Sequence, residues 1–189
     1  MDKVNTININ SIEIKKKIET FEKHLCSFEN QPSYFLVLAK LKLKIKDVEG
    51  ALHYLNEACK LFPKEEFVYD MKAKVLYEKK DYDGALINLN QAVDINPQND
   101  LYYFRRAKVL FCLKIYSKAI EDYSKAIEIN SSKDIYFFYR GLASGCLQDY
   151  SSAIIDFKKS LELNPERRKS KKLYYVEKFT DLYFTSNHR

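Results

Sequence analysis

Residues 100–133 read DLYYFRRAKVLFCLKIYSKAIEDYSKAIEINSSK, and the spacing inside this stretch decides the fold. The first half, Leu101 to Leu113, is too long for a strand and carries helix formers. The second half, Ser117 to Ile129, sets Ala119, Ile120, Tyr123, Ala126 and Ile127 at three-and-four spacing, one apolar stripe of a helix. Short polar joints such as Lys80 to Gly84 and Leu147 to Ser151 divide the neighbouring stretches in the same way. The unit is therefore an antiparallel pair of helices.

Outward from this stretch the pattern repeats every 34 residues: Ala51, Ala85, Ala119 and Ala153 form one column. Ala58, Ala92, Ala126 and Ser160 form a second, and Ala39, Ala73, Ala107 and Gly141 a third. Val48, Tyr82, Tyr116 and Tyr150 precede the first column by three residues, and Pro63, Pro97, Ser131 and Pro165 follow it by twelve. Small residues at fixed positions let helix axes approach to roughly 8 to 10 Å. The Phe-Pro and Asn-Pro steps end the second helix, because proline lacks the donor to continue it and disfavours helix in the residue before it.

These repeats resemble tetratricopeptide repeats. In the last copy Phe137, Arg140, Gly141, Tyr150, Ala153, Phe157, Ser160 and Pro165 occupy the family's signature columns, with serine where alanine is usual. The resemblance covers residues 32–167 as four copies, 32–65, 66–99, 100–133 and 134–167. It implies an all-α, right-handed α-solenoid of four helix pairs. Two features depart from the family pattern. Lys42 stands where a large apolar residue is usual, within a Lys40 to Lys46 run whose alternation by itself reads as a strand, and Ser131 replaces a proline, which predicts a looser exit from the third copy.

The flanks read as caps for the raw apolar ends that an array leaves. Residues 1–31 comprise a polar, loose stretch over 1–10 and a helix over 11–29, with Ile14, Ile18, Phe21, Leu25 and Phe28 on one stripe. Residues 168–189 close the far end with a helix whose stripe is Leu173, Val176, Thr180 and Tyr183, beside Phe179 and Phe184.

In the family the first helix of each pair lines a concave groove. That resemblance places Lys40 in the groove from the first copy and Phe67, Asp70, Met71, Lys74 and Tyr77 from the second. The third copy supplies Leu101, Phe104, Arg105, Lys108 and Phe111, and the fourth Ile135, Phe138, Tyr139 and Leu142. Lys40, Lys74 and Lys108 share one column and form a ladder stepping by roughly 10 Å. An extended peptide advances about 3.3 Å per residue, so such a ladder would meet acidic groups about every third residue. The expected partner is a protein segment with acidic residues interleaved with large apolar ones. The same aromatics have a second reading, in which Phe104, Phe138 and Tyr139 pack between neighbouring first helices and the lysines form a solvated face. The clamp that some members use for acidic chaperone tails needs lysine, asparagine and arginine at set positions. Here those positions hold Leu36, Lys40, Met71, Leu101 and Arg105, or Asp70, Lys74, Arg105, Ile135 and Tyr139, so that ligand is not expected.

Composition agrees with a folded helical protein and narrows its function. The 189 residues are 46% hydrophobic and 31% charged, with only four glycines and four prolines, which excludes collagen-like and disordered classes. The net charge is +6, but residues 166–189 hold seven basic against three acidic residues, so the body is close to neutral and nucleic acid is not the expected partner. The densest block, Arg167 to Lys172, reads either as a solvated joint or as a contact for an acidic partner. No apolar run is long enough to span a membrane, no leader pattern opens the chain, and a cytoplasmic setting is expected. Cys26, Cys59, Cys112 and Cys146 have no metal-ligand spacing, His24, His53 and His188 are scattered, and no phosphate loop or nucleophile motif is present. Cys112 and Cys146, 34 apart, fall on adjacent first helices at about 10 Å, too far for a disulfide. These features predict a non-enzymatic adaptor or scaffold, without cofactor or metal. Two alternatives are a chaperone for a secreted or assembly-prone client and a self-associating structural protein.

Overall fold

A computed structural model describes residues 2–24, 28, 30–165 and 171–187, and among these the chain is helical with no strand. The helices are α1 (Asp2–Lys23), α2 (Pro32–Lys44), α3 (Val48–Leu61), α4 (Glu66–Glu78), α5 (Tyr82–Ile95), α6 (Asp100–Cys112), α7 (Tyr116–Ile129), α8 (Asp134–Cys146), α9 (Tyr150–Leu163) and α10 (Lys171–Asn187). They group into two compact units, Met1–Asp81 and Tyr82–Arg189. In unit 1, α3 packs against α2 and α4, and α1 packs on α2. In unit 2 each helix from α5 to α10 packs on the next.

Local chemistry sets the helix ends. Pro32 opens α2 with its φ already helical, and the Asp47 carboxylate accepts from the Gly50 N–H at 2.8 Å to cap α3. Asn99 and Asp149 cap α6 and α9 by accepting from the N–H groups of Leu101 and Ser152. The first helices of the pairs end alike, with Lys46, Lys80, Lys114 and Gln148 in the left-handed region at φ 60° to 65°. At each, the following residue donates to the carbonyl five residues back: Asp47 to Lys42, Asp81 to Leu76, Ile115 to Leu110 and Asp149 to Ser144, at 2.9 to 3.0 Å. The chain thereby reverses within two residues, and α3, α7 and α9 pack back along the helices they follow.

The small columns are the contact lines between helices. Ala39, Ala51, Ala58, Ala85, Ala92, Ala107, Ala119, Ala126, Ala153 and Ser160 are all fully buried. Gly141 is needed for close approach: a Cβ there would lie 3.0 Å from the Phe157 ring and 3.1 Å from the Ala153 carbonyl oxygen. Ser160 keeps its hydroxyl satisfied by donating to the Asp134 carbonyl at 2.8 Å, so the alanine column tolerates it. The Lys40 to Lys44 run is helical rather than extended. Lys42 bridges to Glu22 of α1 at 3.2 Å and lies over the Tyr54 ring, which is why a lysine serves at an apolar position. At the third exit Asn130 takes the place of proline chemistry, accepting from Ser132 and donating to Asp100 at 3.0 Å.

Both caps differ from expectation in register. Residues 2–10 are helical rather than a loose stretch, since α1 starts at Asp2. The helix stops at Lys23, short of 29, where Thr20 and His24 turn their side chains onto the carbonyls of Lys16 and Thr20. Leu25 and Cys26 lie outside the described residues. Ile18 is the buried contact, the Tyr34 hydroxyl donates to the Phe21 carbonyl, and Tyr54 donates to Glu22 at 2.7 Å. In α10 the packed stripe is Tyr175, Phe179 and Leu182 against Ala153 and Phe157, while Tyr183 is exposed. Aromatic rings larger than Thr180 win the core face.

Candidate binding face

The residues expected to line a groove sit on α2 and α4 of unit 1 and on α6 and α8 of unit 2. In unit 1 Lys40 is exposed and Phe67, Met71, Lys74 and Tyr77 are half-buried. The Lys74 ammonium reaches Asp70 at 3.2 Å, and this carboxylate is only 6% exposed. Met71 and Lys74 open onto a cleft of about 470 Å³ whose other walls are Leu43, Val48, Val75, Glu49, Glu78 and Lys79. Along its rim Lys79 donates to Glu49 at 2.7 Å, and that bond raises the lysine's proton affinity. The space is apolar inside and charged only at its edge.

In unit 2 several of the expected residues pack against neighbouring rings. Phe104 packs between the first helices, its ring 4.8 Å from Tyr136, 5.6 Å from Tyr139 and 5.9 Å from Tyr123. Phe138 and Leu142 pack toward α10: Phe138 meets Phe157 at 5.7 Å and Tyr175 at 5.8 Å, and Leu142 joins the same cluster. All three stay half-buried, the two rings packing against others that the neighbouring helices offer. Leu101, Arg105, Lys108, Phe111, Ile135 and Tyr139 keep part of their surface. Among them the Lys108 ammonium stands over the Tyr139 ring at 5.7 Å. Of the lysine ladder, Lys40 and Lys74 belong to unit 1 and Lys108 to unit 2. Beneath the face the Tyr136 hydroxyl donates to Asp100 at 2.7 Å, and burial, followed by that bond, pushes the phenol well above its ordinary range.

Two ion pairs went unread in the sequence. Arg106 grips Asp122 through Nε at 2.7 Å and Nη2 at 2.8 Å and reaches Asn90 with Nη1 at 3.1 Å. Arg140 repeats this 34 residues on, gripping Asp156 at 2.8 and 2.7 Å and Ser124 at 3.0 Å. Each guanidinium also lies over a ring, Tyr103 or Phe137. The signal was the same 34-residue period, here in Arg106 and Arg140 and in Asp122 and Asp156. Fully paired arginines of this kind fasten helices and leave little for a ligand.

Other chemistry is sparse among the described residues. No group of three or more histidine, cysteine or acidic side chains converges to hold a metal, and no helix is long and apolar enough to cross a membrane. Cys59, Cys112 and Cys146 form no disulfide, and burial raises the Cys59 thiol. Arg167 to Ser170, the core of the basic block, lie outside the described residues.

Comparison with known proteins agrees with this architecture. Family models described as TPR repeat and tetratricopeptide repeat match residues 73–114 and 101–133. Among solved structures, the chain is similar to MamA at 22% identity, TM-score 0.75, covering 90% of this chain and 99% of that one. It is similar to the first TPR of Spaghetti (RPAP3) bound to HSP90 peptide SRMEEVD at 25% identity, TM-score 0.60, covering 62% of this chain and 92% of that one. YrrB, described as a TPR protein with an unusual peptide-binding site, aligns at 19% identity with TM-score 0.69 over 87% of this chain and 93% of its own. No curated protein matches in sequence.

Proposed function

Because the chain is a tetratricopeptide repeat protein, we propose that it is a non-enzymatic adaptor that holds a segment of another protein against the first helices of its repeats. Residues 32–65, 66–99, 100–133 and 134–167 serve as the four repeats between an N-terminal and a C-terminal cap. The observation that carries the reading is the wall on α6 and α8, where Lys108 over Tyr139 and the neighbouring Arg105 set cations within half-buried apolar surface. Such a wall suits a segment that places a carboxylate beside a large apolar side chain. Buried aromatics and arginine supply the affinity in interfaces of this kind, while rim lysines mainly speed association. The contacting residues we assign are Leu101, Phe104, Arg105, Lys108, Phe111, Ile135, Phe138, Tyr139 and Leu142 in unit 2 and, taken separately, Lys40, Phe67, Met71, Lys74 and Tyr77 in unit 1. A reducing cytoplasm suits Cys59, Cys112 and Cys146, which form no disulfide.

The test uses a fluorescent decapeptide, EDLFEDLFED, titrated into the full chain and followed by anisotropy. Binding that weakens with salt and falls about tenfold or more in Arg105→Glu with Lys108→Glu is expected. Equal binding of the uncharged analogue QNLFQNLFQN would overturn the acidic-segment reading.

A further inference from the structure

The cleft in unit 1 sits where the rest of the chain places a tyrosine. The residue that opens the second helix of each pair is Val48, Tyr82, Tyr116 or Tyr150, and valine is the exception. In unit 2 the Tyr116 ring meets Phe111 edge-on at 5.3 Å, and its side chain hydrogen-bonds with Cys146. Tyr82 stands in the same relation to Cys112, and the Tyr150 ring lies 5.7 Å from Phe179. Two repeats earlier, the positions of Phe111, Tyr116, Tyr139 and Cys146 are held by Leu43, Val48, Met71 and Glu78, and all four of these line the cleft. Aliphatic side chains thus stand where three rings stand in unit 2. The space of about 470 Å³ that they leave falls within the size range of ligand sites, and an apolar lining without a packing partner forfeits dispersion.

We propose that this cleft is a receptor for a tyrosine side chain of a partner protein, with the ring seated among Leu43, Val48, Met71 and Val75 and the phenol O–H donating to the Glu78 carboxylate. The chain's own use of tyrosine in the equivalent space identifies the guest, and Glu78, at the position of the thiol that Tyr116 meets, supplies an acceptor for its hydroxyl. The adaptable thioether of Met71 lets the wall close on a ring. That the tyrosine arrives on a peptide segment rests on the function proposed above; the seat itself does not.

Met1 and Met71 are the only methionines, so isotope-labelled methionine methyl groups report on the cleft directly. The probe is p-cresol, the tyrosine side chain as a free molecule, titrated into the full chain. The expected result is a saturable shift of the Met71 methyl signal with Met1 unmoved. Toluene, and p-cresol with Glu78→Ala, should bind about tenfold more weakly, the loss of one hydrogen bond to a charged group. Val48→Tyr should abolish the shift by filling the seat from within, and Leu43→Phe, a second lining position, provides the same test if the first variant folds poorly. No saturable Met71 shift in the folded protein, or a shift that survives both filling variants, overturns the site. Toluene binding as tightly as p-cresol overturns the assignment to tyrosine. The charge reversals at Arg105 and Lys108 should leave this titration unchanged, so failure here and failure of the groove reading are told apart.

Discussion

Replacing Gly145 with alanine should change sign depending on what stands at residue 179. Gly145 is buried in α8, and a Cβ built on it would fall into the ring of Phe179 from α10. That ring cannot step aside, since Phe157 lies 5.5 Å from it, Tyr150 5.7 Å and Tyr175 6.2 Å. In the wild type the overpacking costs about 1 to 3 kcal/mol. Against this, alanine is worth about 0.8 to 1 kcal/mol over glycine in a helix interior. The net effect is a destabilisation of about 1 kcal/mol, concentrated in the docking of α10. In a Phe179→Ala background, itself costing about 3 to 5 kcal/mol, the obstruction is gone and the same change should stabilise by up to about 1 kcal/mol. A double-mutant cycle by urea denaturation therefore should give a coupling of about 2 kcal/mol, and amide exchange in residues 171–187 should accelerate in Gly145→Ala alone. If the alanine stabilises equally in both backgrounds, Phe179 does not occupy the glycine's space and the account of the C-terminal cap fails.

Lys80→Gly and Lys114→Gly should each stabilise by about 0.5 to 1 kcal/mol in equilibrium denaturation, since the left-handed φ of 65° and 60° costs a lysine more than the added freedom of the unfolded glycine. Arg140→Ala should cost about 2 to 3 kcal/mol by stranding Asp156, whose side chain is 5% exposed, and Asp156→Asn in the same chain should recover a good part of it. Glu22 is held below the ordinary carboxylate range, chiefly by the Tyr54 hydroxyl and then by Lys42. A depressed carboxylate contributes stability above its unfolded value, here 4.5, and loses it as pH falls through the folded value. Glu22→Gln should therefore weaken the docking of α1 at neutral pH, measured by amide exchange, and differ little from wild type in acid.

The repeat itself was legible because it is carried by steric exclusion: a column that tolerates only alanine, glycine or serine is visible without knowing what it touches. The face was legible in outline only. How far a ring such as Phe138 is covered depends on whether another helix brings a ring to it, as the C-terminal helix does with Tyr175, and the spacing within one repeat carries no sign of that. The register of that helix escaped for a related reason, since Leu173, Val176, Thr180 and Tyr183 form as regular a stripe as Tyr175, Phe179 and Leu182, and only the Gly145 cradle selects between them. The left-handed lysines were hidden because glycine, the usual mark of that conformation, is absent from all four positions.

The paired arginines bear on how the second unit comes apart. Arg106 on α6 is tied at once to α7 and to α5, and Arg140 on α8 to α9 and to α7, so α7 supplies an acceptor to both. Linear arrays melt one module at a time when the coupling between neighbours is weak relative to each module's own stability. Here fraying any helix from α5 to α9 strands a charge or a donor on a neighbouring helix, which raises the boundary cost and favours a single abrupt transition across that half of the molecule.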